Sequence, residues 1–191
     1  MVIPVEIAVV AMLGAMYYGY HAVQDPQEPA KSKSASSQKP SAMPSVPKVN
    51  TTRLVNKKGG FAVGVPDDVT AKKVNFAVQM TTADKVMSVL AGPAEAGPLA
   101  ANSKAFTRAM KQSYTDVRVV RTESKEIDGR KAKATYGRAV NDEKKQVSFV
   151  SVAIKAKPQN FAIYAFTAVD SDPMFVVPRV NAIINSFEVI D

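Results

Sequence analysis

The chain has 191 residues, 46% of them hydrophobic and 22% charged, which excludes wholesale disorder, a collagen-like repeat and a polytopic membrane protein. It has no cysteine and a single histidine. Disulfide frameworks, thiolate metal sites, thiol nucleophiles, a lipid-bearing cysteine and nearly all histidine-based catalysis are thereby excluded. Lys and Arg number 25 against 17 Asp and Glu, a net charge of +8.

Residues Val2 to Val23 are almost wholly apolar. About 22 residues suffice to cross ~30 Å of hydrocarbon as a helix, so residues 1–23 are predicted to be a transmembrane anchor. Tyr17, Tyr18, Tyr20 and His21 cluster at its end, where amphipathic rings sit at headgroup level. Glu6 lies near the other end, where a helix dipole favours a carboxylate and water can reach it. The alternative for Glu6 is a contact inside a membrane complex. A cleaved signal peptide is the rival for the whole segment. It needs a basic start and a small-residue cleavage site, and no Lys or Arg precedes Lys31.

Residues 24–50 are rich in Pro, Ser, Lys and Gln and nearly free of large apolar side chains. They cannot bury enough surface to offset ordering entropy and are predicted to be a disordered tether. Lys31 and Lys33 favour a cytoplasmic or equivalent side for the C-terminal domain, but Asp25 and Glu28 lie nearer the span, so orientation stays open. Anchor and tether carry four lysines against three carboxylates, so +7 of the charge falls on residues 51–191, the predicted globular domain.

In that domain Phe61, Val63 and Val65 alternate before a Pro66-Asp67-Asp68 turn, a strand signal. Val74, Phe76, Val78 and Met80 alternate likewise and predict one further strand. Val86 to Leu90 is a short apolar run before Gly92-Pro93, a strand or the end of an extended segment. The period then changes. Leu99, Phe106, Met110 and Ser113/Tyr114 share a helical face, Lys104, Arg108 and Lys111 lie elsewhere, and Pro98 suits the first turn.

A strand begins at Val117 and Val119, with Arg118 and Arg121 on it. Asp128-Gly129 is a hairpin turn, and Lys131 to Arg138 returns with Lys131 and Lys133 on one face and Ala132 and Ala134 on the other. After a turn at Asn141-Asp142-Glu143, Val147–Lys157 and Phe161–Val169 form a hairpin, apolar on both faces and therefore central. Asp172 and Pro173 start a last helix whose Val180, Ile183, Ile184 and Phe187 face the core, and Pro178 should kink or restart it. The expected fold is α+β: an antiparallel sheet of about six strands flanked by helices on both faces, an α/β/α sandwich.

Three segments carry a resemblance: Gly60-Phe61-Ala62-Val63-Gly64-Val65-Pro66, Ile127-Asp128-Gly129-Arg130-Lys131-Ala132 and Ile183-Ile184-Asn185-Ser186-Phe187. With the order of elements over roughly residues 55–191, they resemble the PsbP-like superfamily. That superfamily takes in the extrinsic PsbP protein of photosystem II, a nuclear Ran-binding factor and DcrB-like bacterial envelope proteins. The resemblance implies a PsbP-like fold and a non-enzymatic role, docking on, assembling or stabilising a larger complex. It brings no catalytic residue.

The residues themselves point the same way. Asp67-Asp68, Asn141-Asp142-Glu143 and Asp170-Ser171-Asp172 lack the ligand alternation of a calcium loop and read as turns and caps. Gly59-Gly60 is no phosphate loop, and no serine sits in a nucleophile motif. No catalytic, cofactor or metal residues are assigned, and no enzyme activity is expected. The basic groups remain. Arg53, Lys57, Lys58, Lys72 and Lys73 cluster near the start of the domain, Arg118, Arg121, Arg130, Lys131 and Lys133 lie on neighbouring strands, and Lys155 and Lys157 share a face. They are either a solvated surface or docking candidates for an acidic protein partner or anionic lipid headgroups. Nucleic acid is not expected without a recognition motif. The expected function is a non-enzymatic, single-pass membrane accessory subunit of a larger membrane protein complex. The bacterial cell envelope is the first location and an organelle inner membrane the second. The alternative is an envelope ligand- or lipid-binding domain.

Overall fold

The structure, a computed structural model, describes residues 48–190. The predicted anchor with its interfacial Tyr17, Tyr18, Tyr20 and His21, and nearly all of the predicted tether, lie outside the described residues. Among the described residues, no helix is long and apolar enough to cross a membrane.

The elements run β1 (Thr51–Asn56), β2 (Phe61–Pro66), β3 (Val69–Val74), β4 (Ala77–Thr82), β5 (Met87–Ala94), α1 (Leu99–Ser113), β6 (Thr115–Ile127), β7 (Arg130–Val140), β8 (Gln146–Ile154), β9 (Asn160–Ala168), α2 (Pro173–Asn185) and β10 (Glu188–Val189). The class is α+β with two antiparallel sheets, one of three strands ordered β1-β2-β10 and one of seven ordered β3-β4-β5-β9-β8-β7-β6. Every pairing is antiparallel.

Period-2 alternation builds the large sheet's two cores. On β9, Phe161, Ile163 and Ala165 face one cluster while Ala162, Tyr164 and Phe166 face the other. The second face is covered by α1, whose Phe106 stacks on Tyr164 at 4.9 Å and meets Phe149 edge-on at 5.5 Å. The first face is covered by α2 together with β2. There Phe61 of β2 lies 5.3 Å from Phe187 and 6.1 Å from Phe161. Helices thus lie on both faces as expected, but the first face is shared with a second sheet that the strand pattern does not predict.

The expected six strands are ten among the described residues. The run from Val74 to Met80 is a hairpin, with Asn75 at φ 53° making the turn between β3 and β4. An Asn at positive φ tolerates that turn, and the alternation merely continues across it. β5 runs through Gly92-Pro93. The β4 ladder ends at Ala91, so Pro93 pairs with β9 alone, the edge-like setting in which a strand proline is tolerated. α2 is not restarted at Pro178 and ends at Asn185, leaving the buried Phe187 beyond it as the lead-in to β10. Its start is as expected: Asp172 accepts the Met174 N–H at 2.9 Å and Pro173 follows.

Candidate docking edge and basic groove

β6 is the last strand of the large sheet and hydrogen-bonds only to β7. Its 13 residues bury almost nothing: only Ile127 is buried, Val119 is 46% exposed and Val120 is 68% exposed. The strand therefore presents a row of backbone N–H and C=O groups that no neighbouring strand takes up. Two register irregularities, between Thr115 and Arg118 and between Val119 and Arg121, twist one end of it. The stretch from Thr122 to Ile127 pairs regularly.

Charged side chains are held in place along this edge. Arg118 Nε meets Asp116 Oδ1 at 2.9 Å. Arg121 lies over the Tyr136 ring at 4.3 Å and its Nη2 is 3.7 Å from Glu123 Oε2. Tyr136 donates its hydroxyl to Glu123 at 2.5 Å. Desolvation, reinforced by the Glu123 carboxylate, raises the pKa of that phenol above its ordinary value. The segment from Thr115 to Val140 carries seven basic and four acidic residues.

Behind the edge, on the face that α1 covers, lies a groove of about 410 Å³. Lys104, Arg108 and Lys111 line it from α1 and Lys133 from β7. The helix spacing is i, i+4, i+7, one flank of the cylinder. None of the four cations has an ion pair among the described residues, and no carboxylate lines the groove. Ser103 and Thr107 turn their hydroxyls back onto the carbonyls of Leu99 and Ser103 at 3.3 and 3.0 Å. Thr135, on β7, behaves differently. It is 3% exposed, and its hydroxyl is buried with no hydrogen-bond partner.

The sequence-derived docking candidates fall in three places. Arg118, Arg121, Lys131 and Lys133 all lie on the β6–β7 hairpin but form no single cluster: Arg121 lies over Tyr136 on one face, Lys133 lines the groove on the other, and Arg118, opposite Arg138, is at the far end from Lys131, opposite Glu126. Lys72 and Lys73 are on β3, the opposite edge of the seven-stranded sheet, about 29 Å away at ~4.8 Å per strand. Arg53 belongs to the small sheet and is spent on Glu188, 2.7 Å away, across β2, while Lys57 and Lys58 sit in the β1–β2 turn. Sequence inspection passes over the open edge at Val119 and Val120 and the hydroxyl of Thr135. The i, i+4, i+7 spacing of Lys104, Arg108 and Lys111 is visible, but nothing in sequence shows that β7 completes their groove. Among the described residues no group of three or more His, Cys, Asp or Glu side chains could hold a metal ion.

Solved structures settle the architecture. The cyanobacterial PsbP protein, CyanoP, from Synechocystis is similar over 78% of this chain and 98% of its own, with 11% identity and a TM-score of 0.54. The fold is PsbP-like. The Ran-binding protein Mog1p of Saccharomyces cerevisiae is similar over 75% of this chain and 97% of its own, with 9% identity and a TM-score of 0.56. LpqN of Mycobacterium tuberculosis, a protein involved in cell envelope biogenesis, is similar over 75% and 92%, with 14% identity and a TM-score of 0.54. No protein-family model and no curated protein matches the chain. At these identities the likeness is one of fold.

Proposed function

We propose that the protein is a non-enzymatic accessory subunit, held at a membrane by its N-terminal segment, that docks through β6 on a larger membrane protein complex. The observation that carries this reading is the long, exposed edge strand with Val119 and Val120 open to solvent. A sheet edge of this kind accepts a partner's strand by main-chain hydrogen bonds, with side chains supplying selectivity. The excess of basic groups on the β6–β7 segment favours an acidic partner surface. The PsbP-like fold supports the reading because similar structures include a Ran-binding protein and a protein of cell envelope biogenesis, the latter favouring the bacterial envelope. Residues 51–191 are the docking module in this proposal, residues 24–50 its tether and residues 1–23 its anchor.

A photo-crosslinking residue at position 120 of the full chain tests the docking edge in intact membranes. It should give a discrete higher-mass adduct, whereas the same residue at position 72, on the opposite edge, should not. Equal adducts from both positions, or none from 120, would contradict the assignment of β6.

A further inference from the structure

We propose that the groove between α1 and the β6–β7 hairpin is a binding site for a phosphate-bearing ligand. This rests on the groove alone and not on the docking role of the β6 edge. Lys104, Arg108, Lys111 and Lys133 converge on one hollow without a counter-charge. α1 has three basic residues and no acidic one. Like charges four residues apart on a helix repel, and nothing in α1 offsets that cost. The helix C-terminus favours Lys111 in the last turn, but Lys104 and Arg108 have no such reason to be where they are. The opposing strand adds no carboxylate either. On this face of β6 the register places Thr122 opposite Thr135 and Ser124 opposite Lys133, and the nearest carboxylate along it is Glu126, opposite Lys131.

A second observation is independent of the charges. Thr135 has a buried hydroxyl that no protein group satisfies, and an orphaned buried donor calls for a partner. Thr135 lines the groove, and a turn about its χ1 would present that hydroxyl to a phosphate oxygen lying against β7. Guanidinium forks and ammonium groups suit the geometry of a phosphate, which accepts several charge-assisted bonds at once. At about 410 Å³ the groove exceeds a single phosphate group, leaving room beside Ala100 and Val119 for the body of the ligand. The source is either a lipid headgroup or a soluble phosphorylated molecule. The chemistry at the groove is the same.

The test uses the full chain in detergent at fixed ionic strength, with inorganic pyrophosphate as the soluble probe and calorimetry as the readout. Wild-type protein should bind saturably. K104A/R108A should weaken binding at least about tenfold, whereas K72A/K73A, with the same charge loss on the far edge, should not. T135V should weaken binding and T135S should restore it, with unchanged melting temperatures showing that folding is intact. In wild-type protein, amide shifts on titration should be confined to 100–111, 119–122 and 133–135, a readout that needs no variant. Co-sedimentation with phosphatidylcholine vesicles, with and without phosphatidic acid, separates the sources. Capture by phosphatidic acid that K104A/R108A abolishes assigns a lipid headgroup, and pyrophosphate binding without capture assigns a soluble ligand. No saturable binding of either probe, or equal losses in the two double variants, would overturn the proposal.

Discussion

Asp68 and Arg179 join the β2–β3 turn to α2, and their environment makes the pair's worth readable by pH. Arg179 donates to both Asp68 carboxylate oxygens, with Nε 2.9 Å from Oδ2, and its guanidinium lies 3.6 Å from the Phe175 ring centroid. The hydrogen bond from Arg179 holds the Asp68 carboxyl below its ordinary pKa of 3.8. A carboxylate whose pKa is lowered by folding stabilises the native state above its unfolded pKa, and that stability is lost as pH falls through the folded value. Asp68 is 46% exposed, so solvent screens the pair and its contribution is about 1 kcal/mol or less. Asp68→Asn should lower stability at neutral pH by that amount, and the difference from wild type should shrink as pH falls below 3.8 in urea melts. Asn56 is the stronger residue-scale anchor. Buried at the end of β1, it donates to the Ala77 carbonyl and accepts the Gly59 N–H, both at 3.1 Å. Asn56→Ala removes the bond to the Ala77 carbonyl and leaves the Gly59 N–H only the Asn56 backbone carbonyl, and should cost about 1–2 kcal/mol in chemical denaturation.

At the scale of elements, α1 depends on one ring. Phe106 is fully buried and packs against Tyr164, Phe149 and Phe166 of the sheet. Phe106→Ala should cost about 3–5 kcal/mol in denaturant unfolding, because the cavity falls among rigid rings. That helix, the β8–β9 hairpin and the Asp172 cap are legible in sequence because each carries a strong local signal: a 3.6 period, a doubly apolar run, a cap followed by proline. β1 and β10 are not. β1 reads Thr-Thr-Arg-Leu-Val-Asn and is half exposed, so it has almost no apolar alternation, and β10 has two residues. Both are strands because β2 offers its two edges, a tertiary cause invisible to a local window. The Val74–Met80 alternation misleads for the opposite reason, since Asn75 turns the chain without breaking the pattern. The docking candidates are legible as basic residues, but their division among three surfaces follows from strand order, which is long-range. Arg118, Arg121, Lys131 and Lys133 share one hairpin because β6 folds back on β7, but Arg121 and Lys133 take its opposite faces, while Arg53 is drawn off by Glu188.

At the scale of the whole molecule, the proposed function divides the labour along the chain. In that proposal the apolar first 23 residues would anchor, a Pro- and Ser-rich stretch would space, and the PsbP-like body offers the open edge of β6. The absence of cysteine and the lone histidine, His21, exclude thiol chemistry and nearly all histidine-based catalysis. The net charge of +7 on residues 51–191 concentrates partly on β6–β7 and partly in the groove behind it. Blue-native electrophoresis of mildly solubilised membranes tests docking on a larger complex most directly. The tagged full chain should migrate within a larger assembly, and Arg118→Glu/Val120→Lys on β6 should release it while Lys72→Glu/Lys73→Glu does not. Migration of the wild-type protein only as a free species of 20.5 kDa would contradict the docking role.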